Sequence, residues 1–177
     1  VCNRGYGQLM DILEEDELQR EKERAKKRAM YLLGSRDYCR KELYKKLQEN
    51  YCEETCEYVI GLMEHYGFID DESYARKLAK KLIKVNHRGK RRARFEMIVR
   101  GLDPDIVDEA LEQYTDEEIV EEIKNLIEKK YAEKLYDRND IQKVIAAMAR
   151  RGYGFDDIKA AIRMAREEAD ADEQEED

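Results

Sequence analysis

Residues 100–111 read RGLDPDIVDEAL and residues 151–162 read RGYGFDDIKAAI, so one pattern returns after 51 positions. Each copy starts with arginine and glycine, continues with a large apolar residue, and leads into a helix with apolar periodicity. Shifting the chain by 51 reveals a third, upstream copy, which aligns Asn50 with Gly101 and Gly152. The apolar columns that align in the same way are Leu47/Ile98/Ala149, Cys56/Val107/Ile158 and Ile60/Leu111/Ile162. A repeat of this length predicts one supersecondary unit used three times.

Apolar residues spaced three and four apart predict helices throughout the chain. The predicted helices span 8–33, 39–49, 53–66, 72–86, 90–100, 104–113, 116–130, 139–151 and 155–168. A unit of about 50 residues buries too little surface to be stable alone, so the units should stack. We therefore expect an all-α protein of three tandem three-helix (helix-turn-helix-like) repeats, forming an elongated, curved, right-handed or arc-like array.

The helix ends carry recognisable signals. Asn50, Gly101 and Gly152 stand where a helix would end in the left-handed conformation, which glycine and asparagine tolerate best. Asp103 before Pro104 predicts an N-cap followed by a first-turn proline. Capping-box spacing is found twice, in Thr115/Glu118 and in Asn139/Gln142.

Combining the repeat with the helix signals gives a predicted domain organisation. The segments are an N-terminal helical extension (1–24), repeat 1 (25–68), a basic repeat 2 (69–114), repeat 3 (115–166) and an acidic, disordered tail (167–177). The tail holds eight acids and no base, a composition typical of a solvated segment.

Cysteine usage and hydropathy limit the class of protein. Cys2, Cys39, Cys52 and Cys56 could form two disulfides, but a helix-rich chain of this kind fits a reducing cytosol with free thiols. Cys52 and Cys56, with His65 downstream, lack the second ligand pair of a structural zinc site, so we expect no metal and no cofactor. We see no membrane span and no signal peptide, and expect a cytoplasmic protein.

Basic residues concentrate in the middle repeat. Residues 76–100 contain eleven Lys or Arg against the single acid Glu96, so this segment carries +10 in a chain whose net charge is −8. A stripe at i, i+3, i+4 and i+7 comprises Lys77, Lys80, Lys81 and Lys84. A second group, around the start of the next helix, comprises Arg88, Lys90, Arg91, Arg92 and Arg94. Cations at a helix N-terminus oppose the helix dipole, so the pattern favours binding of a polyanion.

Catalytic patterns are poor. The two histidines, His65 and His87, belong to no arrangement with a nucleophile, and Gly5 and Gly7 lack the strand and helix context of a phosphate-binding loop. The chain is therefore not predicted to be an enzyme, and we assign no catalytic residue.

Three motifs together resemble the RecX family of bacterial regulatory proteins, from about Ala25 to Arg166. The first is carried by Ala29, Leu32, Leu33, Arg36, Cys39, Glu42, Leu43, Lys46 and Leu47. The second is the junction GFIDDESYA at 67–75, and the third comprises Gly89, Ala93, Glu96, Met97, Arg100 and Gly101. Cys39 departs from the serine usual in the family, which with Glu42 would form a capping box.

The resemblance implies a non-enzymatic regulator of DNA recombination and repair, linked to the SOS response. Family members bind the RecA nucleoprotein filament and restrain its ATPase, strand-exchange and coprotease activities, and some also bind DNA. By this resemblance we expect a monomer whose basic residues contact the RecA filament, with weak, non-specific binding to single- or double-stranded DNA.

Two other readings of the residues stay open. One is a helix-turn-helix transcriptional repressor, which would concentrate base-reading residues in one recognition helix. The other is a scaffold whose basic stripe serves only another protein.

Overall fold

The computed structural model describes residues 4–175 and contains no strand in that range. Its α-helices are α1 (Arg4–Ser35), α2 (Arg40–Gln48), α3 (Glu53–His65), α4 (Asp71–Lys80), α5 (Lys90–Val99), α6 (Pro104–Glu112), α7 (Asp116–Tyr131), α8 (Arg138–Arg150) and α9 (Phe155–Glu175). A π-helical segment, Lys81–Val85, continues α4, and a 3-10 turn, Ala132–Lys134, follows α7. The prediction of an all-α chain is confirmed, and each predicted helix corresponds to one observed α-helix.

The helices belong to two compact units. The first unit contains the residues up to Tyr74 together with Arg100–Leu102, and the second contains Ala75–Val99 together with the residues from Asp103 onward. The boundaries given above for the three repeats stay a prediction.

The core of the first unit is formed by one face each of α1, α2 and α3. Its buried side chains are Ala25, Ala29, Leu32, Tyr38, Leu43, Leu47, Cys56, Val59, Ile60, Met63 and Ile69. The face of α3 that apolar spacing predicted to be buried is buried, because its residues recur every three or four positions along the helix.

The core of the second unit draws on every helix from α4 to α9. Fully buried large side chains include Leu82, Ile83, Met97, Ile123, Ile127, Met148 and Ile158. Leu78, Ala79, Leu82 and Ile83 are all buried opposite the lysines of α4 and its π continuation, as predicted.

Helix α2 does not follow the 51-residue register that relates α5 to α8, and the apolar column that the sequence suggested for the three middle helices is not their buried one. Ala149 is exposed, and the buried residues of α5 and α8 are Met97 and Met148, which correspond to Leu47 of α2. Leu47 precedes the first buried apolar residue of α3, Cys56, by nine positions, whereas Met97 precedes Val107 and Met148 precedes Ile158 by ten. The turn of the first repeat is therefore one residue shorter than the other two.

This shorter turn corrects the prediction for Asn50. Gly101 and Gly152 have the expected left-handed backbone, with φ of +103° and +89°, but Asn50 does not, because the missing residue is the left-handed one. Gly67, after α3, and His87, after the π-helical segment, also have positive φ, and the helix-end signals had not singled them out.

Gly101 and Gly152 also lie against the start of a middle helix. A Cβ atom on Gly101 would lie 3.2 Å from Cβ of Lys41 in α2, and one on Gly152 would overlap Cβ of Arg92 in α5. Lys41 and Arg92 are themselves 51 residues apart. The glycines therefore recur for two reasons, the backbone conformation and the close approach of a neighbouring helix.

Two helix starts follow the prediction and one does not. Asp103 caps α6 ahead of Pro104, and Thr115 with Glu118 forms a complete capping box on α7. The predicted Asn139/Gln142 box is wrong, since α8 begins one residue earlier and Asp137 is its N-cap, accepting hydrogen bonds from the amides of Asn139 and Asp140.

The start of α2 is capped from outside the helix. Cys39 occupies the N-cap but accepts no capping hydrogen bond; its thiol donates instead to the carbonyl oxygen of Arg100, 3.3 Å away. A carboxylate oxygen of Asp71, the first residue of α4, accepts from the amide of Arg40 at 2.8 Å. Asp71, part of the GFIDDESYA motif, thus supplies the acceptor that a serine at position 39 would provide.

The acidic C-terminal segment continues the last helix. Helix α9 continues through residues 167–175, residues 176 and 177 lie outside the described residues, and the disorder expected for this tail stays a prediction. Within the described part of the chain, we find no helix with the length and apolar character needed to span a membrane.

Candidate functional site

The nine predicted binding residues lie in the second unit, on α4, its π-helical continuation, the following loop and the first half of α5. Arg88 and Lys90 are half-buried, and the other seven have exposed side chains, namely Lys77, Lys80, Lys81, Lys84, Arg91, Arg92 and Arg94. The π-helical segment begins at Lys81, so the regular α-helical spacing expected for the stripe does not continue from Lys81 to Lys84.

Several of these cations are engaged by acids of the same unit. Lys84 lies 2.8 Å from Glu122 in α7, and Lys90 lies 3.0 Å from Asp116 at the start of α7. Arg94 forms a bidentate pair with Asp108 in α6, with distances of 2.6 and 2.9 Å. The hydrogen bond from Arg94 lowers the pKa of Asp108, and the hydrogen bond to Glu122 raises the pKa of Lys84.

Glu96, the single acid of the basic segment, serves two arginines. Its carboxylate lies 2.8 Å from Nε of Arg92, one turn before it on α5, and 3.5 Å from Nε of Arg88. The acids from 96 to 122 therefore neutralise much of the charge that the sequence presented as a uniform basic face.

Lys80, Lys81 and Arg91 differ from the rest of the set. All three are exposed, and none has a salt-bridge partner among the side chains that the structure describes, those of residues 14–169. Arg91 lies in the first turn of α5, where the helix dipole disfavours a positive charge. This turn contains no acid, so no carboxylate on it offsets the charge of Arg91. We call these three residues the unpaired cations.

The start of α5 is held in place by the turn that follows α8. The amide of Gly89 donates to the carbonyl oxygen of Arg151 at 2.9 Å, and a Cβ atom on Gly89 would overlap the backbone of Gly152. Close packing of two backbones leaves little freedom for the first turn of α5, so the position of Arg91 is fixed by the third repeat.

A polar cluster lies beneath the loop between the π-helical segment and α5. Nδ1 of His87 is 3.8 Å from Glu122, and the Tyr153 hydroxyl is buried without a hydrogen-bond partner in the described residues. Burial raises the pKa of Tyr153 to about 12. His87 has φ of +50°, which places strain in this loop.

Two exposed apolar residues on α5 were missed by the sequence argument. Phe95 is 58% exposed and Val99 is 67% exposed. They follow Arg91 at intervals of four residues, so the three side chains lie along one face of the helix, opposite the buried Ala93 and Met97. The signal was present in the sequence, as apolar residues outside the 3–4 spacing of the buried face.

The described residues offer no group of three or more His, Cys, Asp or Glu side chains placed to hold a metal ion. Cys39, Cys52 and Cys56 are free thiols, and Cys2 lies outside the described residues.

Comparison with protein-family models gives three matches along the chain. Residues 25–61 match the first three-helix domain of RecX, residues 70–111 the second, and residues 116–162 the third. The chain belongs to the RecX family. Its relatives include a protein named regulatory protein RecX from Clostridium acetobutylicum, 29% identical over 162 residues, which covers 88% of this chain and 73% of that protein. The protein of the same name from Clostridioides difficile is 26% identical over 78% of this chain and 66% of its own length.

Solved RecX structures share the fold. The crystal structure of RecX from Lactobacillus salivarius has a TM-score of 0.77 at 23% identity, covering 84% of this chain and 98% of that one. A second crystal structure, of a regulatory protein RecX, has a TM-score of 0.72 at 23% identity, covering 88% and 76% of the two chains. The three-helix organisation predicted from the 51-residue pattern is that of the RecX family.

Proposed function

We propose that this protein is a non-enzymatic regulator that binds the RecA nucleoprotein filament and inhibits the ATPase, strand-exchange and coprotease activities of RecA. Membership of the RecX family supports the regulatory role. The observation that carries the binding proposal is the presence of Lys80, Lys81 and Arg91, exposed and without acidic partners, in a chain of net charge −8. The proposal implies a cytoplasmic protein that acts as a monomer and needs no cofactor.

The unpaired cations are better binding residues than their neighbours for an electrostatic reason. An exposed salt bridge contributes about 0–1 kcal/mol, but a cation within one must give up its carboxylate before it meets another anion. Lys80, Lys81 and Arg91 have no such competitor, so their full charge is available to phosphates or carboxylates of a filament. Lys84 and Arg94 are poorer probes, because their removal also takes the lysine partner from Glu122 and the arginine partner from Asp108.

The alternative of a sequence-reading repressor receives less support. Base readout relies on a few side chains of one recognition helix entering the major groove. Here the cations are distributed over α4, the π-helical segment and α5, an arrangement suited to contacts with phosphates or carboxylates along a surface.

The test is the DNA-dependent ATPase of RecA, titrated with the protein and with the variant Lys80→Ala/Lys81→Ala/Arg91→Ala. The variant should need at least about tenfold more protein for the same inhibition, equivalent to about 1.4 kcal/mol. Its melting temperature should stay close to that of the parent, since exposed substitutions cost little stability.

A matched control removes three cations elsewhere. Lys45→Ala/Lys129→Ala/Lys130→Ala makes the same change in net charge at exposed positions on α2 and α7. It should inhibit RecA almost as well as the parent. Equal inhibition by the two triple variants would refute the assignment of the site, and failure of the parent to inhibit RecA would refute the proposed function itself.

A further inference from the structure

We infer that the exposed face of α5 formed by Arg91, Phe95 and Val99 docks onto a protein surface that combines an apolar pocket with flanking carboxylates, and that it does not contact nucleic acid. The inference rests on the proposed function, namely binding to the RecA filament. It adds that this face meets the protein of the filament and not its DNA. We call the three residues the α5 face.

Exposure of the α5 face is not required by the packing of the repeat. In the register set by the buried residues of the middle helices, Phe95 and Val99 correspond to Lys45 and Glu49 in α2, and to Ala146 and Arg150 in α8. Those four positions are exposed as well, and they carry small or charged residues. Only the middle one of the three helices exposes an aromatic and a β-branched side chain there.

Solvent exposure of both residues is large enough to define a docking surface. Phe95 and Val99 are each more than half exposed, one turn apart, with the aliphatic and cationic Arg91 one turn before them. Adjacent exposed apolar side chains next to an arginine are the composition found at the centre of protein interfaces.

Charge around the α5 face argues for a protein partner over nucleic acid. Arg92, whose guanidinium lies 5.8 Å from the centre of the Phe95 ring, is paired with Glu96, and Arg94 is paired with Asp108. The shallow groove between α5 and α6 is lined by Lys90, Arg91 and Arg94 on the α5 side and by Asp108, Leu111 and Glu112 on the α6 side, so acids accompany its cations. Phosphates running along this helix would meet those carboxylates and, next to the Phe95 ring, an exposed valine, which offers no phosphate contact and no stacking surface.

An apolar pocket flanked by carboxylates would bind all three residues of the α5 face. Phe95 and Val99 would lose water on entering the pocket, and Arg91 would gain the acidic partner that it lacks within the described chain. The other unpaired cations, Lys80 and Lys81, are not part of this face.

The test compares two ligands for each variant: RecA filaments assembled on a fluorescent single-stranded oligonucleotide, and the same oligonucleotide alone. Phe95→Ser/Val99→Ser should weaken binding to the filament at least about tenfold, as expected for central interface residues, and leave binding to the naked oligonucleotide within about twofold. Arg91→Glu, which keeps the apolar pair, should also weaken filament binding. Helicity measured by circular dichroism should match the parent for both.

The control is Phe155→Ser, which removes a phenylalanine of the second unit that is 56% exposed, close to the exposure of Phe95. It should bind the filament within about twofold of the parent. Two results would overturn the inference while leaving the proposed function intact: undiminished filament binding by Phe95→Ser/Val99→Ser, or an equal loss of binding to filament and naked oligonucleotide. If the parent itself does not bind the filament, the proposed function fails and the inference fails with it.

Discussion

Asp71 shows how one residue can serve two helices. It is the first residue of α4, where a carboxylate is favoured by the helix dipole, and it also accepts the hydrogen bond from the amide of Arg40 at the start of α2. The same position is partly buried, and burial raises the pKa of its carboxyl above the ordinary value. Asp71 therefore caps α2, but burial of its charged carboxylate costs free energy.

The raised pKa gives a pH-dependent prediction for Asp71→Asn. Because the folded state binds the proton of Asp71 more tightly than the unfolded state, its contribution to stability is complete below the unfolded pKa of about 3.9 and is lost as the pH rises through the folded pKa. Asparagine retains an oxygen acceptor and does not titrate. Urea unfolding at several pH values from 4 to neutral should show the parent gaining stability relative to Asp71→Asn on acidification. Parallel stability curves for the two proteins would contradict the burial effect.

At the scale of the element, the three turns that follow the middle helices decide how the repeats pack. The turns after α5 and α8 place a left-handed glycine against the start of α2 and α5, respectively, whereas the turn after α2 is one residue short and lacks that glycine. Helix–turn contacts of this kind are sensitive to a single methyl group, because backbone atoms on both sides cannot move aside independently.

Gly152→Ala should therefore destabilise the protein more than Gly67→Ala. Both glycines have positive φ, so both substitutions carry a backbone cost of about 1 kcal/mol. A Cβ atom at Gly67 meets nothing within 4 Å, whereas at Gly152 it overlaps Arg92, which adds overpacking of about 1–3 kcal/mol. Chemical unfolding of the two variants measures the difference. Equal midpoints would show that the turn after α8 does not press on α5.

Particular elements show what the sequence could and could not predict. Apolar spacing located the helices and the buried face of α3, because a helix buries residues that recur every three or four positions. The shorter first turn stayed hidden, since the columns of α3, α6 and α9 align at 51 residues even though those of α2 and α5 align at 50. The exact alignment of α3, α6 and α9 therefore hid the fact that the turn after α2 is one residue shorter.

The candidate site was predicted only in part, for a similar reason. Sequence placed the cations on one segment, but their acidic partners lie 14 to 38 residues away in α6 and α7. No local spacing rule connects Lys84 to Glu122 or Arg94 to Asp108. Which cations are unpaired therefore depends on how the helices pack.

At the scale of the whole molecule, pairing of the basic segment limits how strongly the protein can bind DNA. Each phosphate contact by a cation steepens the dependence of binding on salt by about 0.9 in a plot of log K against log salt concentration. Lys80 and Lys81, the unpaired cations outside the α5 face, predict a slope no steeper than about −2 for duplex DNA, whereas contacts from all nine basic residues would give about −8.

Fluorescence anisotropy with unrelated oligonucleotides across a range of salt concentrations measures this slope. We expect weak binding with similar affinity for every sequence, because phosphate contacts carry no base information. A slope near −8 would mean that the acidic partners release their cations on binding. Tight binding to a single sequence at physiological salt would instead favour the repressor.

The contact between a glycine turn and a middle helix also determines at which end a further repeat could be added. The turn of one repeat packs against the middle helix of the repeat before it, and the position of α8 that corresponds to Arg92 of α5 is Lys143, whose side chain is 74% exposed. A duplicated copy appended behind α9 could seat its glycine there without any change to the existing chain. A copy placed ahead of α1 would meet a turn lacking the left-handed residue, so gene duplication could lengthen this protein from one side only until a glycine was inserted next to Asn50.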